Sequence, residues 1–365
     1  MKKSLAFLLV ISLAVVMLVA MGCEGDDPVD EPAEEEALSL VRASHQPCMH
    51  ALPTWMGMEL GWPEEHGIEI EYSFFASGAP QIEALGADVW DVGATGSVPM
   101  FSAALSYDAY MIAVSNDESE TNDLWVRPDS PILDTKGYNP DYPEIYGSPE
   151  DVAGVEILST TISTGHYAVV ATLEALGLSE EDVTITHMEQ DAALAAFEAG
   201  EGEILQMWAP FGFLAQNEGF VKMSSGARAG AIIPGAVIAD RQFADENPEL
   251  VVRWLDMYFR GLEKMKYESD EALEWLGEYY RDYCGLDLDN ETVAPELDQN
   301  VRPIFDVEEQ IELYEDGTVH QWMSDLVGFF VAQGVWEQDQ KEYVIEGDHI
   351  NVEFLKLLQE HRAAQ

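Results

Sequence analysis

The chain has 365 residues, with 69 acidic against 17 basic side chains and a formal net charge of −52. Neutralising phosphate needs clustered Lys and Arg, so this balance excludes nucleic acid as a natural partner. A chain this acidic repels itself in dilute solution. Molar salt shortens the screening length to about 3 Å, which points to an extracytoplasmic protein of a salt-loving organism, with a cationic partner as the other explanation.

Lys2 and Lys3 precede an apolar run from Leu5 to Ala20. The run is short for a bilayer span and has the order of a secretory signal. Ala20-Met21-Gly22-Cys23 resembles the lipobox at which bacterial lipoproteins are cut ahead of a lipid-modified Cys, with Ala20 standing where Leu is usual. The expectation is a signal peptide over 1–22 and lipidation of Cys23. Residues 23–37 are acidic, contain Pro and lack apolar periodicity, as a solvated tether would. Cys48 and Cys284 remain, far apart and outside any CxxC or metal spacing. They are expected to be free, and no metal is expected.

From residue 38 the pattern alternates strand and helix. Strands are expected at 38–44, 69–77, 89–94 and 109–115, with helices at 52–62, 80–85 and 99–105 between them. This order implies a parallel sheet flanked by helices. A crossing strand at 124–127 leads into a Pro- and Tyr-rich stretch, 128–150. A second series follows: strand 155–158, helix 165–176, strand 183–187, helix 191–199 and strand 204–208. An apolar strand at 231–239 returns the chain. Beyond Asp240 the period is helical, over 247–266, 269–284, 306–315, 318–333 and 350–361. Gly285 and Gly334 stand just past two of these ends.

Ligands of such sheets sit beyond the C-terminal strand ends. The first series places Gln46, His50 and Trp55 there, then Thr95, Gly96 and Ser97, then Ser115 and Asn116. In the second, EILSTTISTGHYAVVATLEALGL (Glu156–Leu178) passes from an apolar strand through hydroxyl residues into a helix. Ser163 or Thr164 is the expected N-cap. The exposed N–H groups and the positive end of the helix dipole would seat an anion. His166 could add to that seat, and Trp208 with Pro210 would supply a flat wall. Asp117, Glu118 and Asp191 also lie near strand ends and could instead receive an amine.

The run LPTWMGMELGWPEEHGIEIEYSFFASGAPQIEALGADVWDVGATGSVPM, the segment STTISTGHYAVVATLEALGLSEEDVTITHME and AAFEAGEGEILQMWAPF resemble, in that order and spacing, substrate-binding proteins of ABC importers in the nitrate/sulfonate/taurine group. The resemblance covers residues 38–260. It implies an α/β, two-lobe type II periplasmic-binding fold with a helical C-terminal extension. Lobe 1 would be 38–117 with 227–365, and lobe 2 would be 118–226. It also implies a monomer, lipid-anchored on the outer side of the membrane, that hands a small organic anion such as a sulfonate, taurine or nitrate to a permease and ATPase complex. Alternatives are a cationic or zwitterionic amine such as a betaine, or a ligand sensor. Thiamine-pyrimidine synthases share the fold and hold a pyridoxal cofactor on lysine. Lys136, Lys222, Lys264, Lys266, Lys341 and Lys356 all fall outside strand-end motifs, so neither enzyme activity nor a cofactor is expected.

Overall fold

The computed structural model describes residues 37–300 and 306–365. The expected signal peptide, Cys23 and nearly all of the acidic linker lie outside the described residues. From Ala37 onward the chain groups as one unit built on two five-stranded sheets.

The first sheet holds β1 (Ser39–His45), β2 (Ile68–Phe74), β3 (Val92–Gly96), β4 (Tyr110–Asp117) and β10 (Pro234–Ala239), in the order β2-β1-β3-β10-β4. The second holds β5 (Asn122–Val126), β6 (Glu156–Ser159), β7 (Thr184–His187), β8 (Ile204–Trp208) and β9 (Val221–Ser225), in the order β7-β6-β8-β5-β9. The two orders are equivalent, and both sheets are mixed rather than all parallel. β1 runs parallel to β2 and β3, and β6 parallel to β7 and β8. β10 is antiparallel to β3 and β4, and β5 is antiparallel to β8 and β9. The departure from the expected parallel sheet has a simple origin. β5 and β10 arrive directly from the other sheet, without a crossover helix to reverse the chain, so each enters its sheet from the opposite end.

Strands β3, β4, β5, β8 and β10 bury both faces, which explains their near-continuous apolar runs, whereas β2 and β7 keep exposed positions. In β5, Leu124 and Val126 face one core with Ile157 and Ile204, while Trp125 faces another with Leu158, Leu205 and Phe197. The period of two along each strand makes this division. The Pro- and Tyr-rich stretch packs on the second sheet: Ile132 and Ile145 are buried there, and the Tyr146 N–H donates to Met223 O at 3.0 Å.

The C-terminal helices complete the first sheet. The expected helices appear at Pro248–Tyr267, Ser269–Glu278, Val307–Glu315, Thr318–Ala332 and Glu353–Ala364. Helices Asn290–Asn300 and Gln338–Ile345 are additional. β4 would be a bare edge, with unpaired N–H and C=O groups. Gln310 covers it: its amide accepts from Val114 N at 2.9 Å and donates to Val114 O at 2.8 Å. Further along, Met111 N donates to His349 O at 2.7 Å and Asn351 N donates to Met111 O at 2.8 Å. Among the described residues, no helix is long and apolar enough to cross a membrane.

Gln310 is fully buried. Replacing it by Leu should strand two backbone groups and cost about 2–4 kcal/mol, read as a lower urea midpoint. An unchanged midpoint would show that the edge does not need this amide.

Candidate functional site

The C-terminal ends of strands from both sheets converge on a cavity of about 30 Å³, room for on the order of two water-sized groups. Gln46, Cys48, Met49 and His50 line it from the turn after β1, Gly96 and Pro99 from the end of β3 and the helix after it, and Asn116 from β4. Glu118, Thr121 and Asn122 come from the crossing into β5. Ser163 and Thr164 come from the start of the helix after β6, Trp208 and Ala209 from the end of β8 and the residue after it, and Glu296 from the helix Asn290–Asn300.

Of the residues singled out by sequence, Gln46, His50, Gly96, Asn116, Ser163, Thr164 and Trp208 line this cavity. Gln46 is already committed, its Nε2 donating at 2.8 Å to both Gln81 Oε1 and Thr95 Oγ1. Burial lowers His50 to about 3, which leaves it neutral. The neighbouring His45 ring is buried and stacks on Tyr72 with centroids 5.2 Å apart. Gly96 marks a close approach between the two sheets' elements: a Cβ there would stand 2.9 Å from Thr164 Cγ2.

The other five side chains are spent elsewhere. Trp55 packs against Trp275, Tyr279 and Tyr283 in the core of the C-terminal helices. Thr95 Oγ1 serves Gln46, Ser97 Oγ donates to Pro234 O, and Ser115 Oγ donates to Asn116 Oδ1 at 2.6 Å. His166 is the main departure. Ser163 Oγ caps its helix, Thr164–Ala175, by accepting from His166 N at 3.1 Å, as the motif predicted. The His166 ring, however, turns away from the cavity. Its Nδ1 accepts from Ile162 N at 3.2 Å, which leaves Nε2 protonated to donate to Glu180 Oε1 at 2.6 Å.

Two carboxylates dominate the electrostatics instead. Burial pushes Glu118 up to about 7, while side chains of Asn122, Thr164 and Asn116 approach it and pull it partly back. Burial, reinforced by the charge of Glu118, pushes Glu296 up to about 8, although the Tyr280 hydroxyl donates to its oxygens at 2.8 and 3.0 Å. No Lys or Arg stands among the described residues lining the cavity. Glu118 was visible in the sequence as a strand-end acid. Glu296 carried no signal, lying in an acidic stretch next to Pro295 with no motif around it.

This architecture, two mixed sheets exchanging two strands over a strand-end cavity, is the two-lobe type II periplasmic-binding fold. The chain's relatives are periplasmic binding proteins of ABC transporters. No family model matches the chain. It is 28% identical over 305 residues to a putative aliphatic sulfonates-binding protein of Bacillus subtilis, covering 82% of this chain and 84% of that one. A putative ABC transporter periplasmic binding protein of Brachyspira hyodysenteriae is 26% identical over 240 residues, covering 66% of this chain and 69% of its own length. Among solved structures, the periplasmic nitrate-binding protein of Synechocystis superposes with a TM-score of 0.69 over 90% of each chain at 11% identity.

Both cavity acids hold protons more readily in the folded chain than in the unfolded one. Their contribution to stability is therefore fully present below the ordinary value of 4.5 and is lost as pH rises through about 8. Glu296→Gln should flatten the fall of the urea midpoint across that window relative to the parent, and parallel curves would contradict the assignment. Trp55→Ala should cost about 3–5 kcal/mol by emptying core volume, checked by the same unfolding titration.

Proposed function

We propose that the chain is an extracytoplasmic substrate-binding protein, lipid-anchored through Cys23, that delivers a small molecule to an ABC permease and ATPase complex and acts as a monomer. One observation carries this reading: polar side chains from the strand ends of both sheets converge on a single cavity at the point where the chain crosses between them. Reversible enclosure at such a crossing is what delivery requires. We take the lobes as 38–117 with 227–365 and 118–226, with Asn116, Ser163, Thr164 and Trp208 among the groups that meet the ligand.

Binding rather than catalysis fits the titration of the lining groups. Burial raises the Cys48 thiol well above its ordinary value, the opposite of what a nucleophile needs. His50 is held neutral. The relatives' names favour a sulfonate or taurine-like ligand, whereas the lining side chains favour a ligand carrying a nitrogen cation.

Ligand should draw the lobes together, read as a smaller radius of gyration by X-ray scattering in molar salt. It should also raise ATP hydrolysis by the reconstituted transporter. Gly96→Val places a side chain against Thr164 and should weaken any such ligand at least about tenfold, or roughly 1.4 kcal/mol. Absence of both closure and ATPase stimulation across sulfonates, nitrate, taurine and amines would refute the delivery role.

A further inference from the structure

The titratable side chains of the cavity depart from what an anion carrier needs: two are carboxyls and, among the described lining residues, none is Lys or Arg. Glu118 and Glu296 both line it; Glu296 is 1% exposed and Glu118 is half-buried. Acidic surface residues are screened by salt, but an enclosed carboxylate is screened far less, so the acidity of the chain as a whole does not account for Glu296. An enclosed carboxylate is costly unless donors or a positive charge meet it. Glu296 has the Tyr280 hydroxyl. Glu118 is approached by Thr164, the first residue of the twelve-residue helix Thr164–Ala175. The helix start that would seat a ligand anion therefore shares its cavity with a carboxyl of the chain itself.

A second observation concerns an amide beside these acids. Asn122 is fully buried and lines the same cavity. Its Nδ2 donates to Glu118 O at 3.1 Å, which fixes Oδ1 as the acceptor, and that Oδ1 has no hydrogen-bond partner among the described residues. Such an orphaned acceptor calls for a donor, and Trp208 Nε1, buried on the same cavity and also without a hydrogen-bond partner among the described residues, calls for an acceptor elsewhere on the same ligand.

We propose that the ligand presents a protonated nitrogen with at least two N–H donors, an ammonium or amidinium group, to Glu118, Glu296 and Asn122 Oδ1. This cation, rather than a sulfonate, is the group the cavity recognises. The inference rests on the reading of the chain as a binding protein. An ammonium head is close to water in size and fits about 30 Å³. A quaternary ammonium has no N–H to give and needs an aromatic box. Trp208 is the only Trp, Tyr or Phe among the described lining residues. Because burial holds both carboxyls above their ordinary range, an arriving cation takes over the role of a bound proton.

The test is calorimetric titration of the folded chain in molar salt with ethanolamine, acetamidine, taurine, ethanesulfonate and glycine betaine. Ethanolamine, acetamidine and taurine should bind at least tenfold tighter than ethanesulfonate and betaine. Glu118→Gln and Glu296→Gln should each reduce that binding at least tenfold. Ethanesulfonate binding as tightly as taurine overturns the proposal and leaves the delivery role intact. Gln variants that keep or gain affinity also overturn it, because the acids would then be neutral donors to an anion or competitors with one. Failure of all five compounds overturns it as well, with closure and ATPase stimulation by other ligands still deciding the delivery role separately. The wild-type comparison stands even if a variant fails to fold.

Discussion

The structure depends on an exchange of strands. β5 fills the fourth place in one sheet and β10 the fourth place in the other, and each has come directly from the opposite sheet. Without them, β3 and β4, and likewise β8 and β9, would face each other with unpaired backbone groups. The two connections are tied to one another. Glu118 N donates to Ile233 O at 2.8 Å, Ile233 N donates to Ser119 Oγ at 2.8 Å, and Ala227 N donates to Ser119 O at 2.8 Å. Gly226 lets them pass, since a Cβ there would stand 2.6 Å from Ile233 Cδ1. The crossing thus becomes a stitched double strand, and the cavity lies beside it. Glu118 belongs to that stitch through its backbone and to the cavity through its side chain.

This placement changes what the helix start at Ser163 does. A capped helix N-terminus attracts negative charge from any source. Here an internal source stands close by, because Glu118 lines the same cavity as Thr164, while Glu180 takes the His166 ring. A chain with 69 acidic side chains has many carboxylates available to fill such seats. The same local motif can therefore bind an external anion in one protein and be satisfied from within in another. Which occurs depends on side chains far away in sequence.

Much of the fold was legible because its signals are local. Alternating apolar runs marked the strands, the Ser163 hydroxyl marked a helix start, and Gly285 and Gly334 marked helix ends, each through constraints acting over a few residues. Strand direction was less accessible. Nothing in the apolar run at 231–239 distinguishes a parallel from an antiparallel neighbour. Nor does its composition reveal that Gln310, 196 residues beyond Val114, closes the edge of the sheet it joins. The Pro- and Tyr-rich stretch 128–150 was similarly opaque, since its anchors Ile132 and Ile145 are isolated apolar residues whose partners lie on distant elements.

For the site, the sequence by itself determined which segments reach the strand ends, because that follows from the order of strands and helices. Tertiary structure alone decided which way each side chain faces and which distant groups share the cavity. Trp55 and His166 turn away because neighbouring aromatics and Glu180 satisfy them better. Glu296 enters because a helix from the C-terminal region packs behind Met49 and Tyr280. Charge in a buried site is a sum over everything within a few ångströms, and short-range sequence patterns carry no record of that sum.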